Sequence, residues 1–142
     1  MTSVGAWMDA HRRDVFTALY RVSDAPPFDP ARLEAIEPPT VGDPGSALAR
    51  WAALLAEAPA VFIGDGAVMY AGAIARVCPL ARIVVAPPLA GVIGRLAIGR
   101  AGRDGAVEPG GIQPLYVRRP DAEIARETLH HRGHGGHGGK TD

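Results

Sequence analysis

The sequence has little of several features that define protein classes. Its single cysteine, Cys78, excludes an internal disulfide framework and fits a reducing compartment. No apolar run reaches membrane-spanning length, and no charged start precedes an apolar core as in a signal peptide. The 15 basic and 15 acidic residues leave no net charge, whereas stand-alone nucleic-acid-binding proteins usually carry a basic excess. We therefore expect a cytoplasmic protein that binds neither a membrane nor, on its own, nucleic acid.

The chain of 142 residues is long enough for one domain with a hydrophobic core. Its 18 glycines and 13 prolines exceed average usage and mark tight connections. From about residue 128 onward the sequence is histidine, glycine and charge, a composition typical of disorder. We expect one domain over residues 1–127 and a disordered tail over residues 128–142.

The most informative stretch is an apolar run at 61–63 that meets a Gly64-Asp65-Gly66 turn and then a helical pattern. A buried strand that turns sharply into a helix has this form, with glycines allowing unusual backbone angles and Asp65 accepting from free helix amides. A second apolar run at 83–85 follows. The pattern predicts two parallel strands joined by one helix, with Tyr70, Ile74 and Val77 on its inner face. We expect the rest of the domain to pack around this pair.

The N-terminal part predicts an antiparallel hairpin from runs at 7–10 and 15–22 joined by a polar link at 11–14. A weak third strand at 32–36 is expected to end at Pro38 and Pro39. Asp43 and Pro44 begin a helix whose apolar stripe is Leu48, Trp51, Ala52 and Leu55. Another helix follows Pro87-Pro88, with Gly102 as its C-terminal cap and an apolar face of Leu89, Val92, Ile93, Leu96 and Ala97.

The predicted order is three antiparallel strands, then two parallel strands, with helices interposed. This gives a mixed five-stranded sheet in an α/β domain. The topology is compatible with the ribonuclease-H-like lobe of the actin, Hsp70 and sugar-kinase group.

Three segments resemble motifs of one family. The stretch from Trp7 to Phe16, which contains Asp9, His11 and Asp14, resembles the family's Met-Asp-Ala-Arg-x-x-Glu-Val-Tyr. Gly64-Asp65-Gly66 followed by Tyr70 resembles its Gly-Asp-Gly turn. Residues 114–118, with Tyr116 and Arg118, resemble its closing Pro-x-Tyr-Leu-Arg segment. In this order and spacing the motifs resemble the second lobe of the TsaB family, over residues 7–126.

The resemblance implies a scaffold role without catalysis or a cofactor. TsaB-like proteins pair with a catalytic subunit, TsaD, and act with an ATPase, TsaE, to place threonylcarbamoyl on a tRNA adenosine. The motif's arginine is His11 here, which cannot provide a bidentate guanidinium fork. Family members also begin with another lobe, and nothing like its first strand precedes Trp7. The resemblance therefore implies a partial protein.

Some residues admit other interpretations. Gly64, Asp65 and Gly66 could contact a nucleotide at the helix N-terminus, or form only a structural turn. Asp9 and Asp14 could bind a metal, or only pair with Arg12 or Arg13 in the hairpin. Cys78 could be a thiol nucleophile but lacks an adjacent base, so a small buried side chain is favoured. Trp7 and Trp51 could anchor a partner, and Trp51 fits a core position better.

The tail histidines are weak metal candidates, because no second shell or fixed geometry is evident. They are His130, His131, His134 and His137. The sequence thus predicts a non-catalytic subunit supporting tRNA threonylcarbamoyladenosine formation. Two alternatives remain open: a nucleotide-binding half-lobe completed by another chain, and a self-associating domain, such as a homodimer, without a tRNA role.

Overall fold

A computed structural model describes residues 2–56, 59–103 and 105–118. Its first two strands, β1 (Ser3–Asp9) and β2 (Val15–Val22), form the predicted antiparallel hairpin. The strand β1 begins four residues before the predicted start because small residues precede Trp7 and give little strand signal. The other elements, in chain order, are β3 (Leu33–Gly42), α1 (Pro44–Leu55), β4 (Ala60–Ile63), α2 (Asp65–Met69), α3 (Ala71–Val77), β5 (Arg82–Val84) and α4 (Ala90–Ala101), with short 3-10 turns at Pro30–Arg32 and Pro109–Gly111.

The five strands form one mixed sheet in the order β3-β2-β1-β4-β5. The strand β1 is antiparallel to β2 and parallel to β4, and β4 is parallel to β5. The predicted five-stranded mixed sheet and the parallel pair are confirmed. The expectation that this pair is the centre is wrong. The central strand is β1, which pairs with β2 along its length and with β4 over its first four residues, whereas β5 contributes three residues at an edge.

The prediction that the third strand ends at Pro38 and Pro39 is wrong. The strand β3 runs on to Gly42, with Thr17 opposite Thr40 and Leu19 opposite Glu37. The register shifts between these two pairs, so the two prolines occupy an irregularity in the ladder. Within the described residues β3 is an edge strand, and a missing proline N–H costs little where no neighbour accepts from it.

The helix α1 forms as the sequence predicts. An Asp43 Oδ2 accepts from the Ser46 backbone N–H at 2.7 Å, and Pro44 occupies the first turn. Its inner stripe buries Leu48, Trp51 and Leu55. This stripe lies on the face of the sheet formed by alternate residues of β1.

The core is built on three aromatic side chains that are fully buried. The ring centroid of Trp7 lies 5.8 Å from that of Trp51 and 5.7 Å from that of Phe62, both edge-on. Such pairs add roughly 0.5–1.5 kcal/mol each beyond burial of their area. Gly5 leaves room for them, because a Cβ there would lie 2.8 Å from the Trp51 ring. Trp51 is a core residue as predicted, and its burial with Trp7 means that neither can anchor a partner.

The helical segment after β4 is two helices, not the predicted one. They meet at Tyr70, whose backbone (φ −102°, ψ 21°) departs from the helix while its N–H still reaches Gly66 O at 3.0 Å. Tyr70 packs edge-on against Trp7, at 6.4 Å between centroids. Ile74 is fully buried as expected, but Val77, the last residue of α3, is 41% exposed, so the prediction that it faces inward is wrong.

The part of the chain after β5 contrasts with the rest. The helix α4 forms, with Gly102 at its end, yet it buries none of its residues. The predicted apolar face is largely in contact with solvent, as is Val85 after the sheet. No helix among the described residues is both long and apolar enough to cross a membrane.

Candidate functional site

The three motifs that carry the family resemblance meet at one end of the sheet. Asp9 ends β1, Asp65 follows β4, and Arg118 lies near the end of the described chain. The parallel pairing of β1 and β4 brings their carboxyl ends together, and the segment after α4 returns to the same end. We call this group the β1-end cluster, consisting of Asp9, His11, Asp14, Asp65 and Arg118.

The link between β1 and β2 is a tight left-handed turn. His11, Arg12 and Arg13 have φ values of 58°, 55° and 69°. The left-handed conformation costs a non-glycine residue roughly 1–2 kcal/mol, so surrounding contacts must hold the turn. The Ala10 N–H donates to Asp14 O at 3.1 Å, and the His11 N–H donates to Asp9 Oδ1 at 2.9 Å. The sequence predicts a polar link here but not its left-handed conformation.

Arg118 closes the turn from outside. Its Nη1 donates to Ala10 O at 2.9 Å, and its Nη2 donates to the Asp14 carboxylate. The side chains of Arg118 and Asp14 are 27% and 36% exposed, which partly shields the pair from water. Arg118 therefore fixes a segment more than a hundred residues away along the chain. The structure thus supplies a partner for Asp14 that the sequence did not indicate.

Asp65 joins the second motif to the first. Its Oδ1 accepts from the Asp9 N–H at 3.0 Å and from the Gly66 N–H at 2.8 Å. The first bond satisfies the last residue of β1, and the second satisfies a free amide of α2. Asp65 therefore acts as a connector between strand and helix, with Gly64 in the N-cap position.

The two glycines of this turn are required by the closeness of β1. Gly64 has φ +124°, and a Cβ there would lie 1.9 Å from Trp7 O. A Cβ on Gly66 would lie 2.9 Å from the backbone carbon of Met8. Contact with β1 therefore accounts for both glycines. Nucleotide contact by Gly64, Asp65 and Gly66 stays a prediction.

The carboxylates of the cluster are engaged by protein donors. Asp9 Oδ2 lies 3.3 Å from Nδ1 of the exposed His11, and Asp14 and Asp65 have the partners given above. Within residues 2–56, 59–103 and 105–118, no group of three or more His, Cys, Asp or Glu is arranged to hold a metal ion. The tail histidines lie outside the described residues.

The remaining candidates lie elsewhere. Tyr116 is 80% exposed, although it is two residues from Arg118. Cys78 is buried, and burial raises the pKa of its thiol, which makes it a poor nucleophile at neutral pH. It lines an apolar cavity of about 520 Å³ together with Leu55, Ala56, Pro59, Ala60, Val77, Pro79, Leu80 and Ala81. No histidine is among the described residues that line it.

Comparison with solved structures defines the class of fold. No family model and no curated protein matches the chain. A Pseudomonas aeruginosa protein described as uncharacterized with similarity to peptidase YeaZ is similar at a TM-score of 0.56 and 21% identity, over 82% of this chain and 49% of that one. An identity this low establishes the fold alone: an α/β ribonuclease-H-like, actin-like lobe, as predicted.

The particular protein recurring in the comparison is YeaZ. The structure of YeaZ from Pseudomonas aeruginosa is similar at a TM-score of 0.54 and 19% identity, over 80% of this chain and 49% of that one. The chain thus spans about half the length of both solved structures. The fold is TsaB-like, because YeaZ and TsaB are two names for one protein.

Proposed function

We propose that this chain is a non-catalytic scaffold subunit in the formation of tRNA threonylcarbamoyladenosine. It would pair with a TsaD-like catalytic subunit and act with a TsaE-like ATPase. One observation carries the proposal. The three motifs that resemble the TsaB family, far apart in sequence, are joined by hydrogen bonds in the β1-end cluster of a YeaZ-like fold.

The chemistry of the cluster supports a scaffold role. Asp65 binds backbone amides, Asp14 binds Arg118, and Asp9 binds the turn. A general base or nucleophile needs a reactive group directed at substrate, whereas these groups are directed at the chain itself. The hydrogen bonds of the cluster fix the backbone at this end of the sheet. A subunit that binds a partner needs such a preformed surface.

The proposal includes that the chain works as a partial protein. The chain spans about half of each YeaZ-like structure. The partner role is therefore proposed for a single lobe, not for a protein of that full length. We propose that this lobe keeps enough surface to bind the catalytic subunit by itself.

The test is size-exclusion chromatography with light scattering, first of the chain alone and then with the TsaD-like subunit from the same source. We expect one shared peak of defined stoichiometry. The matched variants are Arg118→Gln, which opens the cluster, and Arg21→Gln, which breaks an exposed ion pair with Glu34 on the sheet. Only the first should weaken co-elution. Separate peaks for the wild-type chain would refute partner binding by this lobe.

A second function has a specific observation in its favour, which is self-association. Large apolar side chains are widely exposed, among them Leu80 at 92%, Ile98 at 76% and Leu115 at 76%. Surfaces of this kind commonly bind other proteins. A homodimer peak for the chain alone, with no binding to the TsaD-like subunit, would favour this function over the scaffold role.

A further inference from the structure

The helix α4 is attached to the domain in an unusual way. None of its residues is buried, and even the side chains of its apolar stripe are 38–59% exposed, namely Val92, Ile93 and Leu96. Most helices in proteins are stabilised by packing of one apolar face rather than by propensity. Something other than burial must therefore keep α4 in place.

The helix also has weak intrinsic support. Gly91, Gly94 and Gly99 each favour the helix less than alanine would. No side chain caps its N-terminus, where Leu89 is the capping residue. At twelve residues it is near the length at which isolated helices are marginal in water. Without tertiary contacts α4 would be mostly unfolded.

Two arginines supply those contacts. The guanidinium carbon of Arg95 lies 5.2 Å from the centroid of the Phe28 ring, within cation–π distance. Nη1 of Arg103 lies 3.3 Å from Oδ2 of Asp29. Phe28 and Asp29 are neighbours in the connection between β2 and β3. Arg95 lies within α4 and Arg103 lies two residues after its end, so the two contacts join the helix and its C-terminal flank to one short segment.

The partner of Arg103 lies far away in sequence. Residues 66–103 contain five arginines and no acidic residue. Acidic residues occur both before and after this stretch, and Arg103 pairs with one of the earlier ones, Asp29.

The receiving segment is internally braced. The Asp29 Oδ1 accepts from the Ala31 N–H at 2.9 Å, and this bond, more than Arg103, holds the pKa of Asp29 below its usual value. The Ser23 Oγ donates to Ala31 O at 2.8 Å. Arg32 donates to Ala25 O. These bonds fix the backbone of the β2–β3 connection, so the segment that α4 contacts is rigid.

We propose that α4 is a latched element that opens and closes as a unit while β1–β5 and α1–α3 stay folded. The latch is the pair of contacts Arg95–Phe28 and Arg103–Asp29. Both contacts are electrostatic and exposed, so salt weakens them, whereas salt does not screen the apolar packing of the aromatic core. The latch therefore makes the position of α4 respond to ionic strength.

The test is amide hydrogen exchange of the whole chain, resolved by peptide, with substitutions outside α4 so that its helix propensity is unchanged. Phe28 has φ +66°, and Phe28→Asn removes the ring with a residue that tolerates this conformation. Asp29→Asn removes the charge and can still accept from the Ala31 N–H. Asp24→Asn, an exposed change in the same connection, is the matched control.

We expect each of the two latch variants to speed exchange of α4 roughly twofold to fivefold, and the double variant about tenfold. Exchange of β1, β2 and β4 should not change, and Asp24→Asn should have no effect. Raising salt from 0.05 to 1 M should speed α4 exchange in the wild-type chain and much less in the double variant.

Three outcomes would overturn the latch. The amides of α4 could exchange at the unprotected rate in the wild-type chain, so that nothing holds the helix. They could be unaffected in the double variant. Or they could change in step with those of β1, which would mean that α4 opens only when the whole domain unfolds.

Discussion

The part of the molecule from β1 to β5 and the part after β5 are held in place by different interactions. In the first part, aromatic and aliphatic side chains are removed from water and the sheet is continuous. In the second, side chains of similar hydrophobicity remain exposed, and arginines provide the described contacts with the first part. The helix α4 in the second part also has apolar residues at helical spacing, but none of its residues is buried. The difference is that only in the first part do such stripes pack against the sheet.

The largest effect should come from emptying the core of the first part. Trp51→Ala removes a fully buried ring that contacts Trp7 and Phe62, and should lower the free energy of unfolding by about 3–5 kcal/mol. Leu115→Ala, in the exposed part, should change it by less than about 0.5 kcal/mol. Chemical denaturation followed by circular dichroism measures both. Equal effects would abolish the distinction between the two parts.

The next largest effect concerns glycine. Gly64→Ala introduces a Cβ 1.9 Å from Trp7 O at φ +124°, and should destabilise the domain by about 3 kcal/mol or more. Gly94→Ala is the matched change in α4, where nothing lies within 4 Å of the new Cβ. It should stabilise that helix by about 0.8–1 kcal/mol and slow its amide exchange. The two substitutions should therefore have opposite signs.

A smaller effect should follow from separating the two parts at the β1-end cluster. Arg118→Gln loses the charged contact with Asp14 and should cost about 1 kcal/mol, since the pair is partly exposed. A double-mutant cycle with Asp14→Asn measures the coupling. If the two losses simply add, the ion pair contributes nothing and the turn is held by its own backbone bonds.

The smallest effect is a pH dependence inside the first part. Arg50 lies 2.8 Å from Glu37 Oε1, and this bond lowers the pKa of Glu37 below its ordinary 4.5. A lowered folded-state pKa adds stability above pH 4.5 that is lost as the pH falls through the folded value. Arg50→Gln should lower stability at pH 7 by about 0.5 kcal/mol and have less effect at pH 3. An equal effect at both pH values would contradict this origin.

The sequence was sufficient for elements whose signal is local. Asp43-Pro44 marked the start of α1, the Gly64–Gly66 turn marked the approach of α2 to a strand, and the order of strands led to the mixed sheet. Each depends on propensity or capping within a few residues. The end of β3 was missed because local proline signals outweigh edge position, which only the assembled sheet reveals.

The candidate site was predicted less completely, because its contacts are long-range. Asp9, Asp65 and Arg118 could be singled out by resemblance, but their mutual hydrogen bonds depend on pairing of β1 with β4 and on the path of the chain after α4. The left-handed turn at residues 11–13 has no glycine to announce it. An Asp at each end of a short polar link, at Asp9 and Asp14, is the one signal that could have suggested a braced turn.

The two consecutive prolines of β3 affect how readily the sheet can aggregate with other chains. An unpaired edge strand is a template on which other chains can add, the first step towards cross-β aggregates. Pro38 and Pro39 each lack an N–H donor, and they fall at a register shift in the ladder with β2. Another strand arriving at this edge would meet a broken row of donors. A feature that looks like an interruption of the strand thus protects the sheet from uncontrolled growth.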